Sequence, residues 1–242
     1  MSEEKDQRTK EELAADLKLK DAEAKLKEAE ALKTEAEASK AKYEAHEAEI
    51  KYLEVRHKFD KQRAEDEMNH LYRFTGEVSG SSVSRCMKKL TEWTRMDPKC
   101  DIEIVFSSPG GSIIDGFELF DFIQELRAKG HKVITGSLGM AASMAGILLM
   151  AGDVRWIGHQ SWMMIHRAAF GAYGKTYEIE DEVKFVRRIE ERILDIFTHR
   201  SKLTKSKIKR NWDRKDWWLS ADECLNLDLV DEIRGKMPEM GK

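Results

Sequence analysis

Residues 136–149 read GSLGMAASMAGILL, and this stretch places one hydroxyl, that of Ser143, among small and apolar residues. The pattern predicts a strand that turns sharply into a helix beginning near Ala142, with Ser143 in the first helical turn. Backbone N–H groups there lack intrahelical acceptors and would stabilise the negative charge that develops in acyl transfer. Close helix packing is the alternative reason for the small residues, and GMAAS is not the G-x-S-x-G turn of α/β-hydrolases.

A histidine follows the next apolar run, in SWMMIHRAAFG at residues 161–171. A serine hydroxyl is a poor nucleophile until a base removes its proton. His166 comes at the carboxyl end of a predicted strand, where α/β sheets carry functional groups, although a structural hydrogen bond is the alternative role. The remaining histidines lie in the amino-terminal segment, in turns or at a helix end: His46, His57, His70, His131, His159 and His199.

Two aspartates are candidates for the third group of a serine–histidine site, the group that holds the imidazole in the right tautomer. Asp213 and Asp216 both lie close to the tryptophan pair in NWDRKDWWLSADECLNLDLVDEI, residues 211–233, which would help to exclude water. On a charged turn, such aspartates are more often solvated helix caps. The residues by themselves leave both choices open.

A proline-glycine turn, SSPGG at residues 107–111, directly follows the apolar run DIEIVF. Pro109, Gly110 and Gly111 allow the bare backbone to come close to a ligand. Such a turn can donate an N–H to an oxyanion or pair with an extended peptide.

Strand and helix patterns alternate from Leu71 onward, which predicts an α/β fold with largely parallel strands. Strands are predicted at LYRFTGEV, DIEIVF, HKVITGS, VRWI and WMMIH. Helices are predicted at VSRCMKKLTEWTRM, at SIIDGFELFDFIQELRA and from about Tyr177 to His199. In the second of these helices, the predicted apolar face consists of Ile114, Phe117, Phe120 or Phe122, and Leu126.

The first seventy or so residues are almost entirely Glu, Lys, Ala, Leu and Arg, and the first glycine of the chain is Gly76. This composition predicts one long helix. Acid-first pairs such as Asp16 with Lys20 and Asp21 with Lys25 support it by about 0.3 kcal/mol each. The apolar seam is thin and rich in alanine, so the helix is either a loose coiled coil or a single exposed tether.

Composition also limits the class of protein. The 242 residues carry a net charge of −3 with acidic and basic residues interleaved, so no nucleic-acid face is predicted. Cys86, Cys100 and Cys224 are far apart, which argues against disulfides or zinc and fits a reducing compartment. The amino terminus lacks the apolar region of a signal peptide, and the apolar run from Ala141 to Ala151 is too short to cross a bilayer. We therefore expect a cytoplasmic protein without membrane contact.

Four stretches, SSPGGSIIDGFELFDFI, GMAASMAGILLMAG, WMMIHRAAFG and DRKDWWLSADECLNLDLVDEI, resemble in order and spacing the proteolytic subunit of the Clp protease, the ClpP family. The resemblance covers roughly Leu71 to Ile233 and implies a serine endopeptidase. The implied catalytic triad is Ser143 as nucleophile, His166 as general base and Asp216 rather than Asp213 as its partner. The implied oxyanion-hole donors are the N–H groups of Gly111 and Met144.

The same resemblance implies an α/β fold of the ClpP/crotonase type, built of repeated β-β-α units and preceded by the long helix. Residues 1–70 would form a charged helical extension and residues 71–242 the peptidase domain. The helix from about Tyr177 to His199 would interlock subunits of a homo-oligomer of stacked rings. The substrate would be a peptide or unfolded protein, the partner a Clp-type ATPase, and no cofactor or metal is implied; no P-loop occurs in the sequence.

The helical extension departs from the family pattern, in which a short axial loop precedes the first strand. Viral and mobile-element members carry such extensions and some act in capsid maturation, so phage-type head maturation is a second setting for the activity. Two other functions stay open. One is an enoyl-CoA hydratase relative of the same broad fold, against which the Ser143–His166 combination argues, and the other is an idle assembly protein that works through its helix.

Overall fold

The computed structural model describes the backbone of residues 2–235 and the side chains of residues 12–235. The chain divides into two compact units, Met1–Ala64 and Glu65–Lys242. The first unit contains helix α1 (Ser2–Arg63), which confirms the predicted long helix. Two expected ion pairs are present on its surface, with Lys20 Nζ 3.2 Å from Asp16 and Lys25 Nζ 2.7 Å from Asp21.

The apolar side chains of α1 are exposed in the single chain. Tyr52 and Val55 are each 63% exposed and Phe59 is 58% exposed. Most helical stability in proteins comes from packing of an apolar face, so these side chains mark a surface that association would cover.

The second unit confirms the predicted α/β class. A short 3-10 helix (Asp66–Asn69) precedes the alternating elements. These are β1 (Leu71–Thr75), α2 (Gly80–Met96), β2 (Ile102–Ser108), α3 (Ile113–Ala128), β3 (Val133–Ala142), α4 (Met144–Leu149), β4 (Val154–Gly158), β5 (Trp162–Ile165), α5 (Thr176–His199), α6 (Lys205–Trp212), β6 (Trp217–Ser220), α7 (Ala221–Asn226) and β7 (Glu232–Arg234).

One seven-stranded sheet organises this unit. Strands β1, β2, β3, β4 and β7 are neighbours in that order and all pair in parallel. Strand β5 pairs in parallel with the end of β3, and β6 pairs with β5 antiparallel. The sheet is therefore largely parallel, as the alternating pattern predicts, and among residues 2–235 only β5 and β6 pair antiparallel.

Strand β3 is longer than predicted, and this corrects the position of Ser143. The first half of β3 pairs with β4, and its last three residues pair with β5, where Ala142 lies opposite Met164. This second pairing keeps the chain extended through Ala142, so α4 begins at Met144. Ser143 consequently lies on the turn between strand and helix and not in the first turn of the helix.

The core-facing side of α3 also differs from the prediction. The buried residues of this helix are Gly116, Leu119, Ile123 and Leu126. Ile114 is 58% exposed, and Phe117 is only partly buried. Apolar residues surround this helix on most sides, so its periodicity predicted the helix correctly but not the face that packs on the sheet.

Candidate active site

Ser143 has a backbone conformation that few residues other than glycine adopt, with φ 55° and ψ −123°. Holding such a conformation costs about 1–3 kcal/mol, which the surrounding structure must supply. Part of that support is the hydrogen bond from the Ser143 N–H to the Met164 carbonyl oxygen, at 2.9 Å. The Ser143 side chain lines a cavity.

His166 lies beside that hydroxyl. Its Nε2 is 2.7 Å from Ser143 Oγ, a hydrogen-bond distance. The sheet register explains why the two side chains are close. Strands β3 and β5 run parallel with Ala142 opposite Met164, and Ser143 and His166 are the residues directly after the two strands. With the ring proton on Nδ1, Nε2 accepts the hydroxyl proton, which is the geometry a general base needs.

Asp216 approaches the other ring nitrogen without reaching hydrogen-bond distance. Its Oδ1 is 3.8 Å from His166 Nδ1, and its side chain is 57% exposed. The antiparallel pairing of Ile165 with Trp217 places their chain neighbours, His166 and Asp216, next to each other. Asp213 lies at the end of α6 and lines a separate surface pocket with Arg167 and Glu190. Of the two candidate aspartates, Asp216 is therefore the one that faces His166.

The glycine turn packs directly against Ser143. Gly110 and Gly111 have φ values of +95° and +147°, and a Cβ built on Gly110 would lie 2.6 Å from Ser143 Cβ. The turn is fixed by two hydrogen bonds to Val78, one from the Val78 N–H to the Gly110 carbonyl oxygen and one from the Ser112 N–H to the Val78 carbonyl oxygen, both at 2.8 Å. Only glycine fits so close to the serine.

A cavity of about 80 Å³ connects these groups. Ser143, His166, Gly111 and Met144 all line it, so the structure brings together four of the five residues that the resemblance implied. Met144 is the first residue of α4, where the N–H has no intrahelical acceptor. The rest of the wall is mainly apolar and includes Ile113, Ile147, Ile165, Ile193 and Phe197.

An ion pair beside the histidine was not anticipated from the sequence. Arg167 donates two hydrogen bonds to the nearly buried carboxylate of Glu190 on α5, at 3.0 and 3.1 Å. These hydrogen bonds raise the pKa of Arg167 above its usual value. The pair ties the segment that carries His166 to α5. No local sequence signal indicates it, because the partners are 23 residues apart and Glu190 is one of many charged residues on α5.

The cysteines are poor candidates for a nucleophile. All three are buried and free. Burial raises the pKa of Cys86 and of Cys100, and it raises the pKa of Cys224 to about 12. Reactive cysteines have lowered pKa values, so these thiols act as small apolar side chains.

Neither a membrane-spanning helix nor a metal centre is present among the described residues. Within residues 2–235, no helix combines the length and apolar character needed to span a bilayer. Within residues 12–235, no group of three or more His, Cys, Asp or Glu side chains has an arrangement able to hold a metal ion.

The sequence of this chain matches a known protein family. The profile of the Clp protease family matches residues 60–237, which is most of the chain and includes every residue of the cavity. The chain belongs to the Clp protease family. Membership confirms the resemblance and supports a peptidase.

Three relatives are about one third identical to this chain over the residues that align. The ATP-dependent Clp protease proteolytic subunit 2 of Synechococcus sp. (strain CC9605) is 33% identical over 184 residues, covering 73% of this chain and 91% of the relative. The proteolytic subunit of Porphyromonas gingivalis is 34% identical over 58% of this chain and 62% of the relative. That of Deinococcus radiodurans is 32% identical over 64% and 76%, respectively.

Proposed function

We propose that the protein is a serine endopeptidase in which Ser143, His166 and Asp216 form the catalytic triad. The observation that carries the proposal is the 2.7 Å distance between Ser143 Oγ and His166 Nε2 at the wall of the cavity. The strained turn that exposes the hydroxyl supports the same role, since strain of this kind concentrates at functional sites.

In the first half of the reaction, Ser143 Oγ attacks the carbonyl carbon of the substrate while His166 Nε2 takes the hydroxyl proton. The N–H groups of Gly111 and Met144 stabilise the oxyanion that forms. The carbon–nitrogen bond then breaks, and His166 returns the proton to the leaving amine, which leaves an acyl-enzyme. Water repeats the sequence with His166 as base and releases the acid and the free serine.

Asp216 holds the proton of His166 on Nδ1 and offsets the charge of the imidazolium. For this role its carboxylate must move about 1 Å closer than the present 3.8 Å separation from Nδ1. Catalytic hydrogen bonds are often long before substrate binds, and an exposed side chain is free to make such a movement. Substrate binding or subunit assembly is the step that we expect to close this gap.

The cavity wall indicates the preferred substrate. Its apolar residues and its volume of about 80 Å³ suit a medium-sized apolar side chain of a peptide, next to the bond that is cut. Peptide or unfolded protein in an extended conformation is the form that can enter and pair with the glycine turn.

We also propose that the subunits form a homo-oligomer of stacked rings that encloses the active sites. Relatives are named as proteolytic subunits of ATP-dependent Clp proteases, which motivates a Clp-type ATPase as the partner. The extension α1 motivates phage-type head maturation as the other setting. Residues 1–70 and 71–242 are the proposed helical extension and peptidase domain.

A catalytically idle assembly protein is the second candidate function. Two observations favour it. The 3.8 Å between His166 Nδ1 and Asp216 Oδ1 is too long for a hydrogen bond, and the apolar side chains of α1 are exposed. Hydrolysis of fluorogenic peptides with an apolar residue before the cut bond separates the two functions. The endopeptidase predicts turnover that Ser143→Ala abolishes without loss of the fold, whereas equal rates for Ser143→Ala and the unaltered protein would overturn it.

A further inference from the structure

A second cavity lies between α3 and α5, on a different face of α5 from the active-site cavity. Its volume is about 560 Å³. Arg127 of α3 lines it together with Arg192 and His199 of α5 and Arg200, which directly follows α5, so four basic side chains border one space. This cluster takes no part in the proposed reaction.

The carboxylates near this cavity are already committed to other partners. Asp153 accepts from Arg127 Nε at 2.7 Å. Asp195 is the single carboxylate among the described residues of the cavity wall, and it forms an ion pair with Lys205. Each of these two carboxylates therefore already has one cationic partner.

Within residues 12–235, the guanidinium groups of Arg192 and Arg200 form no ion pair with a carboxylate. Arg200 donates to the backbone carbonyl oxygens of Gly152 and Asp153. Within residues 12–235, Arg192 and His199 have no hydrogen-bond or ion-pair partner. Burial is the main cause that lowers the pKa of Arg200; repulsion from Arg155 and Arg127 adds to it, and attraction to Asp231 and Asp153 partly opposes it. The wall of the cavity thus carries three arginines against one carboxylate, an excess of positive charge that a bound anion would neutralise.

The remaining wall is apolar. Phe120, Met150 and Ile196 contribute carbon and sulfur surface beside the basic groups. A cavity of this volume falls in the range of small-molecule sites and is far larger than an inorganic ion requires. The wall therefore matches a ligand with a charged head and an apolar body.

We propose that the cavity between α3 and α5 binds a small organic anion, with a carboxylate or phosphate head on the arginines and a short apolar body against Phe120, Met150 and Ile196. Planar guanidinium groups bind both heads through paired hydrogen bonds.

Calorimetric titration of the full-length protein tests this site without depending on peptidase activity, so its failure would leave the proposed reaction untouched. The probes are hexanoate, the neutral analogue hexanamide and inorganic phosphate. We expect hexanoate to bind at least tenfold more tightly than either of the others, because only hexanoate offers both the charge and the apolar chain. Equal binding of hexanoate and hexanamide, or no hexanoate binding, would overturn the proposal.

Arg192→Gln is the informative variant, because this exposed side chain has no partner and its loss should not disturb the fold. We expect about tenfold weaker hexanoate binding with an unchanged thermal transition. Arg188→Gln is the matched control, an exposed arginine one turn away on α5 that lines a neighbouring pocket. Equal affinities for the two variants would contradict the assignment of the head group to this cavity.

Discussion

At the scale of single residues, the site depends on backbone geometry as much as on side-chain chemistry. Ser143 needs a positive φ to stand clear of β3 and α4, and Gly110 must lack a side chain for the serine to occupy that position. Sequence alone identified both residues. It could not predict the strained turn, because the pairing of β3 with β5 that imposes it is a tertiary contact.

Replacement of Gly110 by alanine tests this geometry. The new Cβ would lie 2.6 Å from Ser143 Cβ and 2.7 Å from the Ala142 carbonyl oxygen, so the serine turn must shift. A displacement of about 1 Å at a catalytic group lowers rates by roughly 10²-fold. We expect a loss of peptide hydrolysis of at least that size.

Gly130→Ala is the control for the backbone effect alone. Gly130 has the same φ of +95°, but its Cβ would meet no atom within 4 Å. This variant should lose about 1 kcal/mol of stability and keep its activity. Equal loss of activity in the Gly110 and Gly130 variants would mean that contact with Ser143 is not the cause.

The two aspartates give a second prediction at this scale. Asp216→Asn should lower kcat by about 10²- to 10⁴-fold, because the amide cannot hold the Nδ1 proton of His166 as a carboxylate does. Asp213→Asn should have little effect, since Asp213 lines a different pocket. Steady-state kinetics on a fluorogenic peptide measures both. A larger loss from Asp213→Asn would reverse the assignment of the triad.

At the scale of elements, the position of β5 between β3 and β6 assembles the site. Strand β5 pairs with β3 on one side and with β6 on the other, and these pairings bring the strand ends at Ser143, His166 and Asp216 together. Apolar runs and turn residues were enough to predict β3 and β5. They did not predict where β3 ends or which side of α3 is buried, because both depend on packing partners distant in sequence.

An ion pair joins Arg155 of β4 to Asp231, the residue directly before β7, and it should make stability depend on pH. Asp231 accepts hydrogen bonds from Arg155 at 2.6, 2.7 and 3.1 Å, and the Arg155 side chain is 4% exposed. Burial by itself raises the pKa of Asp231, but the hydrogen bonds and charge of Arg155 outweigh it and hold the pKa below its usual value.

Because the folded state lowers the pKa of Asp231, the ion pair contributes its full stability above the unfolded pKa, near pH 4. That contribution is lost as the pH falls through the folded pKa. We expect Asp231→Asn to lose roughly 1–3 kcal/mol at pH 7 and to flatten the decline in unfolding free energy below pH 5. Urea unfolding at several pH values measures this.

Asp101→Asn changes an exposed aspartate directly before β2 and is the control for that experiment. It should leave both the stability at pH 7 and the pH profile nearly unchanged. An Asp231→Asn profile parallel to that of the unaltered protein would contradict the role given to the ion pair.

At the scale of the whole molecule, the core belongs to the second unit. Every residue of the hydrophobic core cluster lies between Phe74 and Val230. The composition of the first seventy residues predicted α1, and the alternation of strand and helix patterns, together with the family resemblance, predicted the fold of the remainder. The apolar side chains of α1 are exposed and lie outside this core.

Deletion of residues 2–64 should therefore leave a folded peptidase unit. We expect a cooperative thermal transition and peptide hydrolysis close to that of the full chain, because no core residue is removed. Light scattering on the same sample reports the number of subunits. Loss of the cooperative transition would show that α1 is part of the folding unit, contrary to this division.

The most direct test of the central claim is reaction of the purified protein with a fluorophosphonate, which labels activated serines, followed by mass mapping of the labelled peptide. We predict labelling at Ser143 that His166→Ala weakens and that Ser107→Ala, which changes an exposed serine of β2, leaves intact. Ser143→Ala should remove the label. If the folded protein takes up no label at Ser143, the account is contradicted. The second candidate function, an assembly protein that acts through α1, would then be favoured.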